Sequence, residues 1–247
     1  LRVRLINPNT TQSFTRTLQT IAQGFAADGT IVDATSPVMG TPSVESHVEE
    51  AVAAIGVIEQ VVAGDKAGID GYVICCFGDT GIAAAREVTN APVVGMTEAA
   101  FFAASMLAAS FSVITLPPRT RIHSERVLRE TGMAERCARV RAIDIPVLDL
   151  ADEDEAVEAA FLDEARRALA EDHSEAIVLG CAGLTHLVEP LSRHLGVPVI
   201  DGVMVGLKMV EGLVTLRLGT SKRSSFAYPP AKGLTGVFAH LLDGHKG

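Results

Sequence analysis

The residues of this chain best suited to chemistry are its cysteines. There are four, Cys75, Cys76, Cys137 and Cys181. None lies in a CxxC or Cys/His spacing, so no zinc or other metal site is signalled. Two of them fall in closely similar surroundings. IDGYVICCFGDTG (Ile69–Gly81) and SEAIVLGCAGLTH (Ser174–His186) each read as an apolar strand, a Cys, a small-residue turn and the start of a helix. Cys76 and Cys181 stand 105 positions apart. Two thiols so placed suit one reaction in particular. A stereocentre next to a carbonyl can lose its proton to a base on one face and regain one from an acid on the other. A thiol, with a free pKa of roughly 8.5, serves either role once a helix N-terminus or a cation lowers that value. Backbone N–H groups of the turns Phe77-Gly78-Asp79-Thr80 and Ala182-Gly183 are placed to stabilise a thiolate or an enolate oxygen.

A lone Cys is most often a small core residue. Cys75 must point to the opposite side of its strand from Cys76 and is read as core. Cys137, in the helix–loop stretch MAERCARV, has no partner motif and is read the same way. The pairing is what lifts Cys76 and Cys181 out of that class.

The elements that must carry them repeat as well. APVVGM (Ala91–Met96) matches VPVIDG (Val197–Gly202), with Pro92 and Pro198 separated by 106. VRLINPNTT (Val3–Thr11) resembles SVITLPPRTR (Ser112–Arg121), with Pro8 and Pro118 separated by 110. Three landmarks in one order at nearly constant offset indicate a duplicated αβ lobe. Residues 1–97 plus 206–247 are expected to form the first lobe and 98–205 the second, about a pseudo-two-fold with the active site in the cleft. Predicted strands are Val3–Ile6, Thr30–Ala34, Gly71–Cys75, Val93–Val94, Ser112–Leu116, Arg139–Ile143, Ala176–Leu179 and Val199–Ile200. Predicted helices are Thr11–Phe25, Ser43–Ala63, Thr80–Val88, Glu98–Ala108, Arg121–Glu130, Asp154–Glu171, Leu184–Leu195 and Met204–Leu216. The alternation is that of an α/β fold, each lobe a mostly parallel sheet flanked by helices. Strands such as YVICC and AIVLGC are apolar on both faces, as buried parallel strands are. Ligands of such sheets bind beyond the carboxyl ends of the strands, where both cysteines lie.

Composition narrows the partners. The chain has 247 residues, 48% of them hydrophobic, and 21 Lys and Arg against 30 Asp and Glu, a net charge of -9. That balance argues against nucleic acid, and the absence of Trp against a base-stacking platform. The apolar stretch Ala99–Leu116 is interrupted by Ser105, Ser110, Ser112 and Thr115 and is read as a buried helix running into a buried strand rather than a membrane span. LRVRLINPNT does not read as a secretory signal. Few cysteines and no signal fit a cytoplasmic protein, and a homo-oligomer is expected.

INPNT, SPVMGTPSVES (Ser36–Ser46), CFGDTG (Cys76–Gly81), VRAIDIPVLDL (Val140–Leu150), IVLGCAGL (Ile177–Leu184) and VPVIDGV (Val197–Val203) together resemble the hydantoin racemases of the Asp/Glu racemase superfamily, a pattern allantoin racemases share. The resemblance spans nearly the whole chain. It implies a two-lobe α/β fold, no cofactor, a cyclic ureide as small-molecule substrate, and a two-base mechanism through Cys76 and Cys181. The chain departs from the pattern in the turns after the cysteines, at Gly78, Thr80, Leu184 and His186.

Other residues at the same sheet ends are candidate substrate contacts. Asn9 is read as a hydrogen-bond partner of a ring carbonyl or N–H, with Thr10 capping the next helix. Ser43 and Val44 sit in a loop before a helix and are read as a polar contact and an apolar wall. Asp79 is read as turning away to cap the helix that follows, since a carboxylate beside a thiolate raises the thiol pKa; Thr80 and the turn N–H groups then face substrate. Thr115 and Pro117 mirror the NPN segment as cleft wall. Arg119 is a candidate anion contact, and His186, if protonated, a group that lowers the pKa of Cys181. Phe77, Phe101 and Phe102 are the candidate aromatic walls. Racemisation of 5-substituted hydantoins is the leading expectation. Its rivals are an allantoin or Asp/Glu-type racemase, a cysteine-dependent decarboxylase or cis–trans isomerase of the same superfamily, and a binding protein without catalysis.

Overall fold

A computed structural model of the chain describes residues 1–151 and 155–242. Its eight strands are β1 (Arg2–Ile6), β2 (Ile31–Thr35), β3 (Gly71–Ile74), β4 (Val93–Gly95), β5 (Phe111–Thr115), β6 (Cys137–Ala142), β7 (Ala176–Gly180) and β8 (Val199–Asp201). Its α-helices are α1 (Gln12–Phe25), α2 (His47–Lys66), α3 (Ile82–Val88), α4 (Met96–Leu107), α5 (Arg121–Glu130), α6 (Glu155–Glu171), α7 (Val188–Leu195) and α8 (Gly202–Thr215). Each predicted element exists, with ends moved by a few residues. Asp154, where the sixth helix was expected to begin, lies outside the described residues.

The strands form two four-stranded sheets, ordered β2-β1-β3-β4 and β6-β5-β7-β8. The two orders are the same once the second set is renumbered, as duplication requires. The pairings of β1 with β2 and β3, of β5 with β6 and β7, and of β7 with β8 are parallel. In register, Ile6 pairs with Ile74 in one sheet and Thr115 with Gly180 in the other. The chain falls into two compact units. One comprises residues 1–74, 80–94 and 207–247; the other comprises 75–79 and 95–206. Cys76 and Cys181 both belong to the second.

The central strands β3, β5 and β7 are buried along their whole length, which explains their continuous apolar runs. In the second sheet, Ile114, Ile177 and Leu179 face a core that includes Phe161, Ala165 and Leu191 of α6 and α7. Phe111, Val113, Ala176 and Val178 face the opposite core, with Ala100, Phe101 and Ala104 of α4 and Val127 of α5. The alternation of side chains along each strand thus feeds two helical layers. On α6 the buried positions Val157, Phe161, Ala165 and Ala168 recur every three or four residues, one face of a 3.6-residue helix; burying Phe161 alone is worth about 2 kcal/mol. In the first unit, Val57 and Val61 of α2 and Ala85 and Val88 of α3 pack with Tyr72 and Ile74.

Four local expectations need correction. The second helix starts at His47, not Ser43: Ser46 is the N-cap, its hydroxyl accepting from the Glu49 N–H at 3.3 Å and donating to the Glu49 carboxylate at 2.9 Å. The helix thus begins about one turn later than expected, behind a capping box of Ser46 and Glu49. Cys137 opens strand β6 rather than lying in a helix–loop, and burial pushes its thiol up to about 12. Leu184–Leu187, expected as α-helix, belongs to a 3₁₀ helix, Ala182–Leu187, that precedes α7. Phe101 is wholly buried, stacked on Phe111 with ring centroids 5.6 Å apart, so it is core and not a cleft wall. The stretch Ala99–Leu116 is the expected helix running into a buried strand, although Phe102, Met106 and Leu107 of the helix are exposed, and no helix among the described residues is long and apolar enough to cross a membrane.

Candidate active site

In each parallel sheet the carboxyl ends of the strands lie at one edge, and the candidate residues follow those ends. In the first unit, the segment after β1 is sewn to the segment after β2. Thr10 donates its N–H to the Thr41 carbonyl at 2.9 Å and its hydroxyl to the same oxygen at 3.3 Å; Thr11 donates its hydroxyl to the Pro42 carbonyl at 2.7 Å. Thr10 therefore ties loops together and does not cap; the N-cap position of α1 is Thr11, which makes no side-chain cap bond. Asn9 sits in this turn with Oδ1 accepting from the Thr11 N–H at 2.9 Å and from Asn7 Nδ2 at 3.0 Å. Ser43 is buried, its carbonyl accepting from the Thr41 hydroxyl at 2.7 Å, and Val44 is half-buried. The turn that holds Asn9 and the segment that holds Ser43 are thus joined by hydrogen bonds, with Val44 next along the chain. Thr80, buried, stands two residues before α3.

In the second unit, Cys76 begins a tight turn, closed by the Asp79 N–H donating to the Cys76 carbonyl at 3.0 Å. Cys181 begins the matching turn, closed by the Leu184 N–H donating to the Cys181 carbonyl at 3.2 Å. The two turns share this closing bond at the same offset but differ in backbone: Gly78 and Asp79 have φ of 132 and 51, whereas the turn after Cys181 runs into the 3₁₀ helix Ala182–Leu187. Cys76 and Cys181 are half-buried, and Cys75 is buried at 3% exposure. Gly78 adopts φ +132, which a side chain rarely permits, and a Cβ there would sit 3.0 Å from that of His123. Its N–H donates to Thr97 Oγ1 at 2.7 Å and its carbonyl accepts from Arg126 at 2.6 Å. The Gly78 and Asp79 N–H groups are therefore committed within the protein, contrary to the expectation that these turn amides face substrate. Phe77 is half-buried, its ring edge-on to Phe101 at 5.8 Å. Ala182 and Gly183 are half-buried beside Cys181, and a Cβ on Gly183 would lie 3.5 Å from Leu150 and 3.8 Å from the Cys181 Sγ.

Asp79 caps a helix, though not the one expected. Its carboxylate accepts the N–H groups of Thr97 at 2.8 Å and Glu98 at 2.9 Å, the first turn of α4. Burial, then the nearby Glu98 carboxylate, push the Asp79 carboxyl up to about 7. Asp201 accepts from the N–H groups of Val203 at 3.2 Å and Met204 at 3.1 Å in α8, and burial pushes it up to about 6, with Thr185 of the second cysteine's turn bonding to it. Thr115 is buried, its hydroxyl donating to the Gly180 carbonyl at 3.2 Å, so it braces the strand leading to Cys181. Pro117 is half-buried, its carbonyl accepting from the Thr120 N–H at 3.0 Å. Arg119 and His186 are exposed.

Thr97, Arg126 and Leu150 were missed as parts of the cysteine surroundings. Thr97 could have been found from the repeat, because it follows the Gly95-Met96 that mirrors Asp201-Gly202. Arg126 carries no local signal; only the packing of α5 brings it to the Gly78 carbonyl.

Two like α/β sheets, each with a cysteine turn after its third strand, define a duplicated α/β protein. Residues 3–210 match the Asp/Glu/Hydantoin racemase family. The chain is 42% identical to a hydantoin racemase of Pseudomonas sp. strain NS671, over 98% of this chain and 97% of that one. It is 41% identical to a hydantoin racemase of Rhizobium meliloti, over 96% and 98%. Among solved structures it superposes on an allantoin racemase from Klebsiella pneumoniae with a TM-score of 0.95 and 46% identity, covering 98% of each chain. The chain belongs to the Asp/Glu/hydantoin racemase family and is an enzyme of racemase type.

Proposed function

We propose that the protein racemises the C5 stereocentre of hydantoin-ring ureides, without a cofactor, by proton transfer between Cys76 and Cys181. The observation that carries this reading is the duplicated turn: both cysteines follow the third strand of like sheets, and both turns close with the same Cys carbonyl to residue i+3 bond. One cysteine, as thiolate, takes the C5 proton. The electron pair passes into the ring as an enolate spread over the neighbouring carbonyl. The other cysteine, as thiol, delivers its proton to the opposite face of C5, and the roles are reversed for the other enantiomer. Turn N–H groups of Phe77, Ala182 and Gly183 supply the electrostatic support for the enolate oxygen. Asn9, Ser43, Val44, Thr80 and Pro117 are assigned to substrate contacts. A cytoplasmic homo-oligomer is part of the same reading.

The second reading narrows the substrate to allantoin, which is a hydantoin bearing a ureido group at C5. The 46% identity to the Klebsiella allantoin racemase favours it, as the 42% identity to a hydantoin racemase favours the first reading. Circular dichroism of enantiopure allantoin and of enantiopure 5-alkyl and 5-arylmethyl hydantoins, followed side by side, separates the two. Loss of optical signal is expected for at least one, with deuterium entering C5 in deuterium oxide; no loss and no exchange for any of them refutes the proposal. Replacing either Cys76 or Cys181 by Ser is expected to stop racemisation. Full activity in either variant removes the two-base mechanism.

A further inference from the structure

The two halves cap the helix after their fourth strand with a carboxylate in the same place, but from different residues. In the second half the N-cap residue supplies it: Asp201 accepts from the second and third N–H groups of α8, those of Val203 and Met204. In the first half the equivalent N-cap residue is Gly95, which has no side chain to give. Asp79 fills the gap and accepts from the equivalent N–H groups of α4, those of Thr97 and Glu98. The Glu98 carboxylate completes the motif by accepting the Gly95 N–H at 3.1 Å, so a capping box is assembled from two distant pieces of chain. A Cβ on Gly95 would lie 2.2 Å from the Asp79 carboxyl carbon; the missing side chain is the space the carboxylate uses. At the position matching Asp79, 105 residues on, stands Leu184, fully buried in the core with Leu150, Leu187 and Leu191.

The exchange has a mechanical consequence. Asp201 lies at a strand end: its cap bonds hold α8, and it meets the Cys181 turn through the side chain of Thr185, four residues past the cysteine, while Leu184 of that turn is buried in the core. Asp79 is itself the last residue of the Cys76 turn, so its cap bonds fasten that turn to α4. We propose that Asp79 is a positioning residue for Cys76, tethering its turn to the first turn of α4, while Leu184 holds Cys181 by apolar burial. The proposal rests on the two-cysteine reading for its functional meaning but not for its geometry. Asp79 is thereby taken out of the set of substrate contacts: both of its carboxylate oxygens are engaged by α4.

The decisive variant exchanges the two residues, Asp79→Gly with Gly95→Asp. It returns the carboxylate to the N-cap position, as in the second half, and removes the Asp79 tether, leaving the Gly78 N–H to Thr97 Oγ1 bond as a remaining link between the turn and α4. Gly95 has φ -83 and ψ 141, an extended conformation that Asp accepts at an N-cap, and Gly suits the left-handed φ of 51 at position 79. Alkylation of each thiol by iodoacetamide is followed by peptide mass spectrometry in the wild type and the exchange variant. The Cys76 rate is expected to rise at least about threefold, with the Cys181 rate changed by less than about 1.5-fold, as for a local loosening. The second measurement is C5 deuterium exchange of an enantiopure hydantoin in Cys181→Ser and Cys76→Ser backgrounds. Exchange through Cys76 is expected to fall about ten- to hundredfold, the range a displaced catalytic group shows, and exchange through Cys181 to hold within about twofold. A Cys76 alkylation rate equal to that of the wild type, or equal changes at both thiols, overturns the proposal whatever the substrate. Racemisation that survives Cys76→Ser refutes the two-cysteine mechanism instead, and leaves the alkylation result to judge the tether alone.

Discussion

The exchange of Asp79 and Gly95 also makes a quantitative prediction about stability. Asp79→Gly alone removes the acceptor of two helix-terminal N–H groups. Losing a cap costs roughly 0.5–2 kcal/mol, and a buried donor left without an acceptor roughly 1–3 kcal/mol. Against this stands relief of a buried carboxylate that burial holds near pKa 7, so a net cost of about 2 kcal/mol is expected. Gly95→Asp alone forces a Cβ to within 2.2 Å of the Asp79 carboxyl carbon. One carboxylate must leave, and overpacking of this kind costs about 2 kcal/mol. With both changes made, one carboxylate serves the same two N–H groups from the N-cap, and the total loss is expected to be about 1 kcal/mol. The cycle therefore carries a favourable coupling of about 3 kcal/mol, the upper size for residues in contact. Urea midpoints of the four proteins at pH 8 give the cycle, with hydrogen exchange of the Thr97 and Glu98 amides as the local measure. A double variant that loses as much as the two single variants together would show that the two carboxylate positions are not equivalent, and the capping argument would fail.

Two further predictions concern stability. The Asp79 and Asp201 carboxyls are raised to about 7 and about 6 by burial, so the folded chain binds these protons more tightly than the unfolded one. Their contribution to stability is full below the ordinary Asp value of about 4 and is lost as pH rises through 6 and 7. The deficit of Asp79→Asn relative to wild type is therefore expected to be larger at pH 5 than at pH 8, read from urea midpoints; a deficit that widens at pH 8 contradicts the sign. Ser46→Ala removes the cap of α2 and is expected to cost about 1 kcal/mol, seen as a lower urea midpoint with unchanged slope. No change would mean that Glu49, which also accepts the Glu45 N–H at 2.8 Å, holds the helix start unaided.

Much of this protein is legible in the chain itself. Continuous apolar runs such as GYVIC and AIVLG, short and bounded by turn residues, read as buried parallel strands, and the eight strands and eight helices expected are present among the described residues with shifted ends. The repeat of strand, Cys and turn at constant offset singled out Cys76 and Cys181 and anticipated two like, mostly parallel sheets, because duplication copies local patterns that survive in sequence; the strand order came from the structure. Boundaries set by side-chain hydrogen bonds were less legible: Ser43 and Ser46 are both plausible caps, and only the Glu49 carboxylate folding back selects Ser46. What tertiary structure alone decided is where Asp79 goes. Sequence distance ties it to the helix beginning at Ile82, three residues on, while its carboxylate binds a helix beginning at Met96. The physical reason is that a cap is a contact in space: the room that Gly95 leaves and the first N–H groups of α4 come within reach of Asp79 only when β3 and β4 lie side by side in one sheet.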